Sequence, residues 1–72
     1  MKIMLAMIFC TALHQQCQNP YIMSGSYDNF YNCMVAGYDE AKRKTLEVGK
    51  EQVNKDYIYI KFYCTPDTRP QT

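Results

Sequence analysis

The sequence has little of several things that whole classes of function require. Its apolar stretch from Ile3 ends by Leu13, far short of the roughly 20 residues that span a bilayer, so no stable membrane anchor is expected. Neither sign of charge dominates. Eight Lys and Arg stand against seven Asp and Glu, and without Lys2 the count is seven against seven. That balance argues against long-range steering toward nucleic acid or an anionic membrane. The three glycines are Gly25, Gly37 and Gly49, too scattered for a phosphate-cradling loop. The short basic run Lys42-Arg43-Lys44 is cancelled by Asp39, Glu40 and Glu47 around it and reads as a solvated helix face. Asp39 and Glu40 are neighbours on that face, beside basic residues, which is not the arrangement of an acid/base pair. No internal repeat and no N-glycosylation sequon is present.

Cysteine and tyrosine, by contrast, are abundant: four Cys and seven Tyr in 72 residues. A chain this short makes one domain with a small core and needs a staple or a partner. The cysteines can supply the staple.

The stretch from Ser26 to Gly49 predicts one long amphipathic helix, over 27–48. Tyr27, Phe30, Tyr31, Met34, Tyr38, Ala41, Thr45 and Val48 recur at steps of three and four, which places them on one face, expected to meet the core. Ser26 is a suitable N-cap and Asp28 suits the positive end of the helix dipole. The pairs Asp39–Arg43 and Glu40–Lys44 are spaced for support on the outer face, and Gly49 is a natural terminator. Val53 is expected to tuck back beneath the helix as residues 50–56 reverse the chain.

Residues 1–12 read as a secretory signal: Lys2 gives a basic start, Ile3 to Phe9 an apolar centre, and Cys10-Thr11-Ala12 the small residues a signal peptidase reads, with cleavage after Ala12. The alternative is a buried N-terminal strand or helix. Pro20 biases Asn19 toward an extended backbone, and a short strand is predicted near 20–24. Residues 57–64 alternate with period two and are rich in β-branched and aromatic side chains, the clearest strand of the chain. The segment Thr65 to Thr72 contains two prolines and no apolar residue, and is expected to be a disordered tail.

In that final strand Ile58, Ile60, Phe62 and Cys64 share the face predicted to lie on the helix. Cys33 sits at the edge of the helical stripe beside Gly37, where a close approach brings its sulfur toward Cys64. A Cys33–Cys64 disulfide is therefore expected. Cys17 is left over after signal cleavage, with three fates open: pairing with another chain, remaining free, or cleavage further downstream. Cys10, His14 and Cys17 would share a face on a helix and invite a zinc reading. The spacing matches no common finger, so no metal and no cofactor is expected, and no enzymatic activity. Tyr57, Tyr59 and Tyr63 face away from the helix and form a candidate interaction surface.

The run SYDNFYNCMVAGYDEA, then GKEQVN, then IYIKFYC resembles a pattern in small, uncharacterised, signal-bearing proteins of marine bacteriophages. The shared elements are C-x-x-x-GY at Cys33 to Tyr38, G-x-x-x-VN at Gly49 to Asn54, and F-x-C at Phe62 to Cys64, across residues 24–64. The resemblance implies export into a host envelope and supplies no activity.

Together these readings predict an α+β fold. A disulfide-stapled β-α-β mini-domain over 13–64 carries one long helix on a two-stranded sheet, parallel by a right-handed crossover. The expected role is a secreted or periplasmic, non-enzymatic interaction protein, its partner an unidentified protein with homodimerisation as an option. A virion-associated accessory protein and a small cytosolic zinc-binding regulator are the alternatives.

Overall fold

The computed structural model describes residues 2–68. Its centre is β1, Ile3–Thr11, the segment whose composition suggests a signal peptide. This strand pairs antiparallel along its whole length with β4, Ile58–Pro66, from Ile3 opposite Pro66 to Thr11 opposite Ile58. Along its other side it pairs with β2, Gln16–Cys17, and β3, Tyr21–Ile22, both antiparallel. The sheet is therefore four-stranded among the described residues and antiparallel, which corrects the expected two-stranded parallel arrangement. The physical reason is an insertion. Strands β3 and β4 run in the same direction, each antiparallel to β1, but β1 lies between them and takes the hydrogen bonds they would otherwise share. The result is a split β-α-β unit.

Strands β2 and β3 are two halves of one bulged strand. The Gln18 N–H donates to the Phe9 carbonyl at 2.8 Å, and Tyr21 pairs with Met7, so Asn19 and Pro20 together oppose Ile8. Two residues against one is a bulge, and Pro20, with no N–H to donate, suits the unpaired position. The β1–β2 connection is a tight turn in which Gln15 takes a left-handed conformation, φ 52°.

Residues 2–12 thus are not dispensable to this fold. Leu5, Ala6 and Met7 are almost fully buried, and a chain cut after Ala12 would lack the strand that pairs with all the others. The expected tail also begins later: Thr65 and Pro66 belong to β4, and the Asp67 N–H bonds the Lys2 carbonyl at 2.8 Å. The rest of that expectation falls on 69–72, outside the described residues.

The long helix α1 spans Phe30–Val48, starting three residues later than predicted. Its N-cap is Asn29 and not Ser26: the Asn29 side chain accepts from the Asn32 N–H at 2.7 Å. Tyr27 cannot be helical because it exchanges two backbone hydrogen bonds with Ile3, at 2.9 and 2.8 Å, and so extends the sheet. At the other end the Gly49 N–H bonds the Thr45 carbonyl at 3.1 Å with φ 95°, a conformation that favours glycine. A short helix α2, Lys50–Asp56, follows at once in place of the expected loop, and Tyr57 closes it in a left-handed conformation.

The helix is also rotated from the predicted orientation. Its fully buried residues are Cys33 and Gly37, with Ala41 packed partly against the core, whereas Phe30, Tyr31 and Tyr38 are exposed. A Cβ on Gly37 would lie 2.2 Å from the Phe62 ring. Only a line of small residues allows α1 to approach β4 this closely. The core beneath it comprises Ile3, Leu5, Met7 and Cys33, with Phe9, Met23, Tyr27, Ile60, Phe62 and Cys64 packed around.

Two disulfides hold this small core. Cys33 bonds Cys64, joining α1 to β4 across a sequence separation of 31, and Cys10 bonds Cys17 across the β1–β2 pair. Cys17 is therefore not left over. Loop closure in the unfolded chain gives roughly 3–4 kcal/mol for the longer link and about 2 for the shorter.

Candidate interaction surface

Alternation along β1 splits it into two apolar faces. Ile3, Leu5, Met7 and Phe9 point toward α1, and Met4, Ala6, Ile8 and Cys10 point away from it. Register extends the second face across the sheet: Ala6 lies between Ile22 and Tyr63, and Cys10 between Cys17 and Tyr59, while Ile8 opposes Lys61. Antiparallel sheets with one solvated side normally alternate apolar and polar. Here the outward side carries Met4, Ile8, Ile22, Tyr59 and Tyr63, with Lys61 as the only charge among these positions. Among the described residues no helix packs on this side; α1, through Gly37 against Phe62 and Cys33 beside Leu5, lies on the other.

The three tyrosines singled out from the sequence separate into two groups. Tyr59 and Tyr63 stand on β4 facing away from α1, 46% and 40% exposed, and close over the small residues Ala6 and Cys10. Tyr57 lies just before the strand, at the left-handed end of α2, and is 59% exposed. Sequence reasoning missed Met4, Ile8 and Ile22 as their neighbours. The missing signal was that the N-terminal apolar run has no period, as expected of a strand covered, or needing cover, on both faces.

Two clefts flank the opposite side. One of about 350 Å³ lies at the β1–β2 turn and is lined by Phe9, Thr11, His14, Val48, Asp56 and Ile58. The Thr11 hydroxyl donates to the Asp56 carbonyl there at 2.5 Å. The other, about 470 Å³, has Met7, Phe9, Tyr21 and Met23 below and Arg43 and Lys44 at its rim. Among the described residues no group of three or more His, Cys, Asp or Glu is placed to hold a metal. The Cys10–Cys17 bond takes both thiols of the weighed zinc set.

Several charged groups form ion pairs on the surface. Arg43 binds Glu40 at 2.8 Å and Glu47 at 2.7 Å, rather than the pairs Asp39–Arg43 and Glu40–Lys44 suggested by spacing. The hydrogen bond from Arg43 holds the Glu40 carboxyl below its ordinary range, and that bond with the nearby carboxylates raises Arg43. Lys2 pairs with Asp28, tying the start of β1 to the approach to α1. Its hydrogen bond, and then its charge, lower the Asp28 carboxyl.

No family model, curated protein or solved structure matches the chain. The two disulfides fit an oxidising environment outside the cytoplasm. Among the described residues no helix is long and apolar enough to cross a membrane.

Proposed function

We propose that this chain is a non-enzymatic interaction protein, secreted or periplasmic, whose contact surface is the sheet face turned away from α1. One observation carries the reading. The central strand is apolar on both sides; one side is covered by α1, and the other is covered only by side chains of the neighbouring strands, among the described residues. A face of half-exposed Tyr59, Tyr63 and Ile22 around buried Ala6, with Lys61 between the two tyrosines, has the aromatic and apolar make-up of a protein-contact patch. The disulfides support an extracytoplasmic site of action. In this reading residues 1–12 stay with the working chain, because β1 is the scaffold on which the face is built. The resemblance to marine phage proteins supports a host envelope component as the partner.

The test is cross-linking of the exported, oxidised chain to its partner in the envelope, compared with a variant carrying Tyr57→Ser, Tyr59→Ser and Tyr63→Ser. Loss of capture with the fold intact by circular dichroism is the expected result. Unchanged capture and unchanged oligomeric state would remove the basis of the proposal. The alternative role, a virion-associated accessory protein, predicts the chain in mass spectra of purified particles.

A further inference from the structure

We propose that a second surface, independent of the tyrosine face, joins two copies of this chain: the outer edge of β4 together with the flank of α1 that overhangs it. The phase of the β1–β4 ladder identifies the edge. The Asp67 N–H bonds the Lys2 carbonyl and the Ala12 N–H bonds the Tyr57 carbonyl. Tyr59, Lys61, Tyr63 and Thr65 therefore turn their backbone groups toward β1, and Ile60, Phe62 and Cys64 turn theirs outward. Among the described residues no strand pairs with that side. A long unpaired edge is a template for another strand.

The helix flank above this edge is largely apolar, with exposed Lys42 at its solvent margin. Arg43 and Lys44 lie toward the β2–β3 side, at the rim of the cleft with Tyr21 and Met23, and Tyr38 lies on the opposite flank, its ring 4.9 Å from that of Phe62. Tyr31, Met34, Tyr38, Ala41 and Thr45 continue that flank at alternating steps of three and four, the spacing of a helix–helix seam. Tyr31 and Tyr38 are 75% and 66% exposed. These residues belong to the stripe that the sequence marks for burial; the close contact at Gly37 rotates Tyr31 and Tyr38 out of the core, while Ala41 stays packed against it.

A second copy fits both features under one two-fold axis. Antiparallel β4–β4 pairing would make one continuous sheet with both helices on the same side. Each α1 packs on β1 and β4 together, and strands are spaced about 4.8 Å apart, so the two helix axes would lie roughly 10 Å apart, at the distance of packed helices. At 150–250 Å² per aromatic side chain, the two tyrosines expose roughly 300 Å². With the half-buried Met34 and Thr45 and the strand edge the surface reaches roughly 500 Å² per partner, the size of a weak, reversible interface. Lys61 selects the register. Pairing about Lys61 itself sets two ammonium groups face to face, whereas pairing about Ile60 or Phe62 sets Lys61 opposite Tyr59 or Tyr63 of the second copy.

Sedimentation equilibrium of the full oxidised chain, combined with amide exchange, tests this. The expected species has twice the 8.5 kDa chain mass, with the Ile60 and Phe62 amides protected at high concentration and exposed on dilution. Tyr31→Glu, at an exposed position, should raise the dissociation constant at least about tenfold with unchanged circular dichroism. A monomer at near-millimolar concentration would overturn the proposal. So would a dimer whose Ile60 and Phe62 amides exchange freely, or one indifferent to Tyr31→Glu but dispersed by Tyr59→Ser with Tyr63→Ser. That last pattern would move self-association to the tyrosine face.

Discussion

Gly37 of α1 lies directly against the Phe62 ring of β4, so close that a Cβ there would meet three ring carbons at 2.2 to 2.7 Å. This contact sets the distance between helix and sheet and, with the Cys33–Cys64 bond one turn away, the rotation of the helix. Replacing Gly37 with Ala sets two effects against each other. The helix gains about 1 kcal/mol of propensity, while crowding in a packed core costs typically 1–3 kcal/mol. Phe62 lies under Gly37 with its ring edge-on to Tyr38 of the same helix, so crowding should win. Urea unfolding of oxidised Gly37→Ala is expected to show a net loss of about 1–2 kcal/mol, and an equal or higher midpoint would mean that the contact is looser than described.

The two disulfides should contribute unequally. Cys33→Ala with Cys64→Ala should lower stability by roughly 3–4 kcal/mol, and Cys10→Ala with Cys17→Ala by about 2. Peptide mapping without reductant should recover linked fragments containing 10 with 17 and 33 with 64. Any other pairing would contradict the register of β1 with β2.

The N-terminal strand makes a sharp prediction about the mature chain. Intact mass of the exported protein should include residues 2–12, and a version beginning at Leu13 should show no cooperative unfolding, because Leu5 and Met7 are central to the core. A stable, disulfide-bonded protein starting at Leu13 would require a different sheet.

Stability should fall in acid. Glu40 and Asp28 have carboxyl groups lowered by Arg43 and Lys2. A lowered group binds fewer protons in the fold than in the unfolded chain, so its contribution is complete above the ordinary carboxylate range and is lost as pH drops below about 4. Glu40 and Arg43 are solvent-screened, so their pair should contribute little. Thermal unfolding of Glu40→Gln should show a slightly lower midpoint at pH 7 and a flatter fall toward pH 3 than the parent.

Tyr57 holds a left-handed backbone, φ 54° and ψ 52°, at a cost of roughly 1 kcal/mol for a residue with a Cβ. Its side chain is largely exposed, so Tyr57→Gly should leave stability unchanged or raise it by up to about 1 kcal/mol. A clear loss in chemical denaturation would assign the ring a packing role.

The sequence by itself determined the parts of the structure that have a local signature. The alternation of 58–64 sets which residues of β4 face α1, Gly49 stops the long helix, and the facing positions of Cys33 and Cys64 agree with the bond between them. Only the tertiary structure decided three others. An apolar run without period is the same composition whether a translocation machine reads it or a sheet takes it as its central strand, so Ile3 to Thr11 could not declare which it was. The helix start moved to Phe30 because Tyr27 bonds Ile3, a residue distant in sequence. The helix presents two adjacent lines, small residues at Cys33, Gly37 and Ala41 and large ones at Tyr31, Met34 and Tyr38. Hydrophobic period favours the large line. Close packing against Phe62 requires the small one, and the large line is left facing outward beside an unpaired strand.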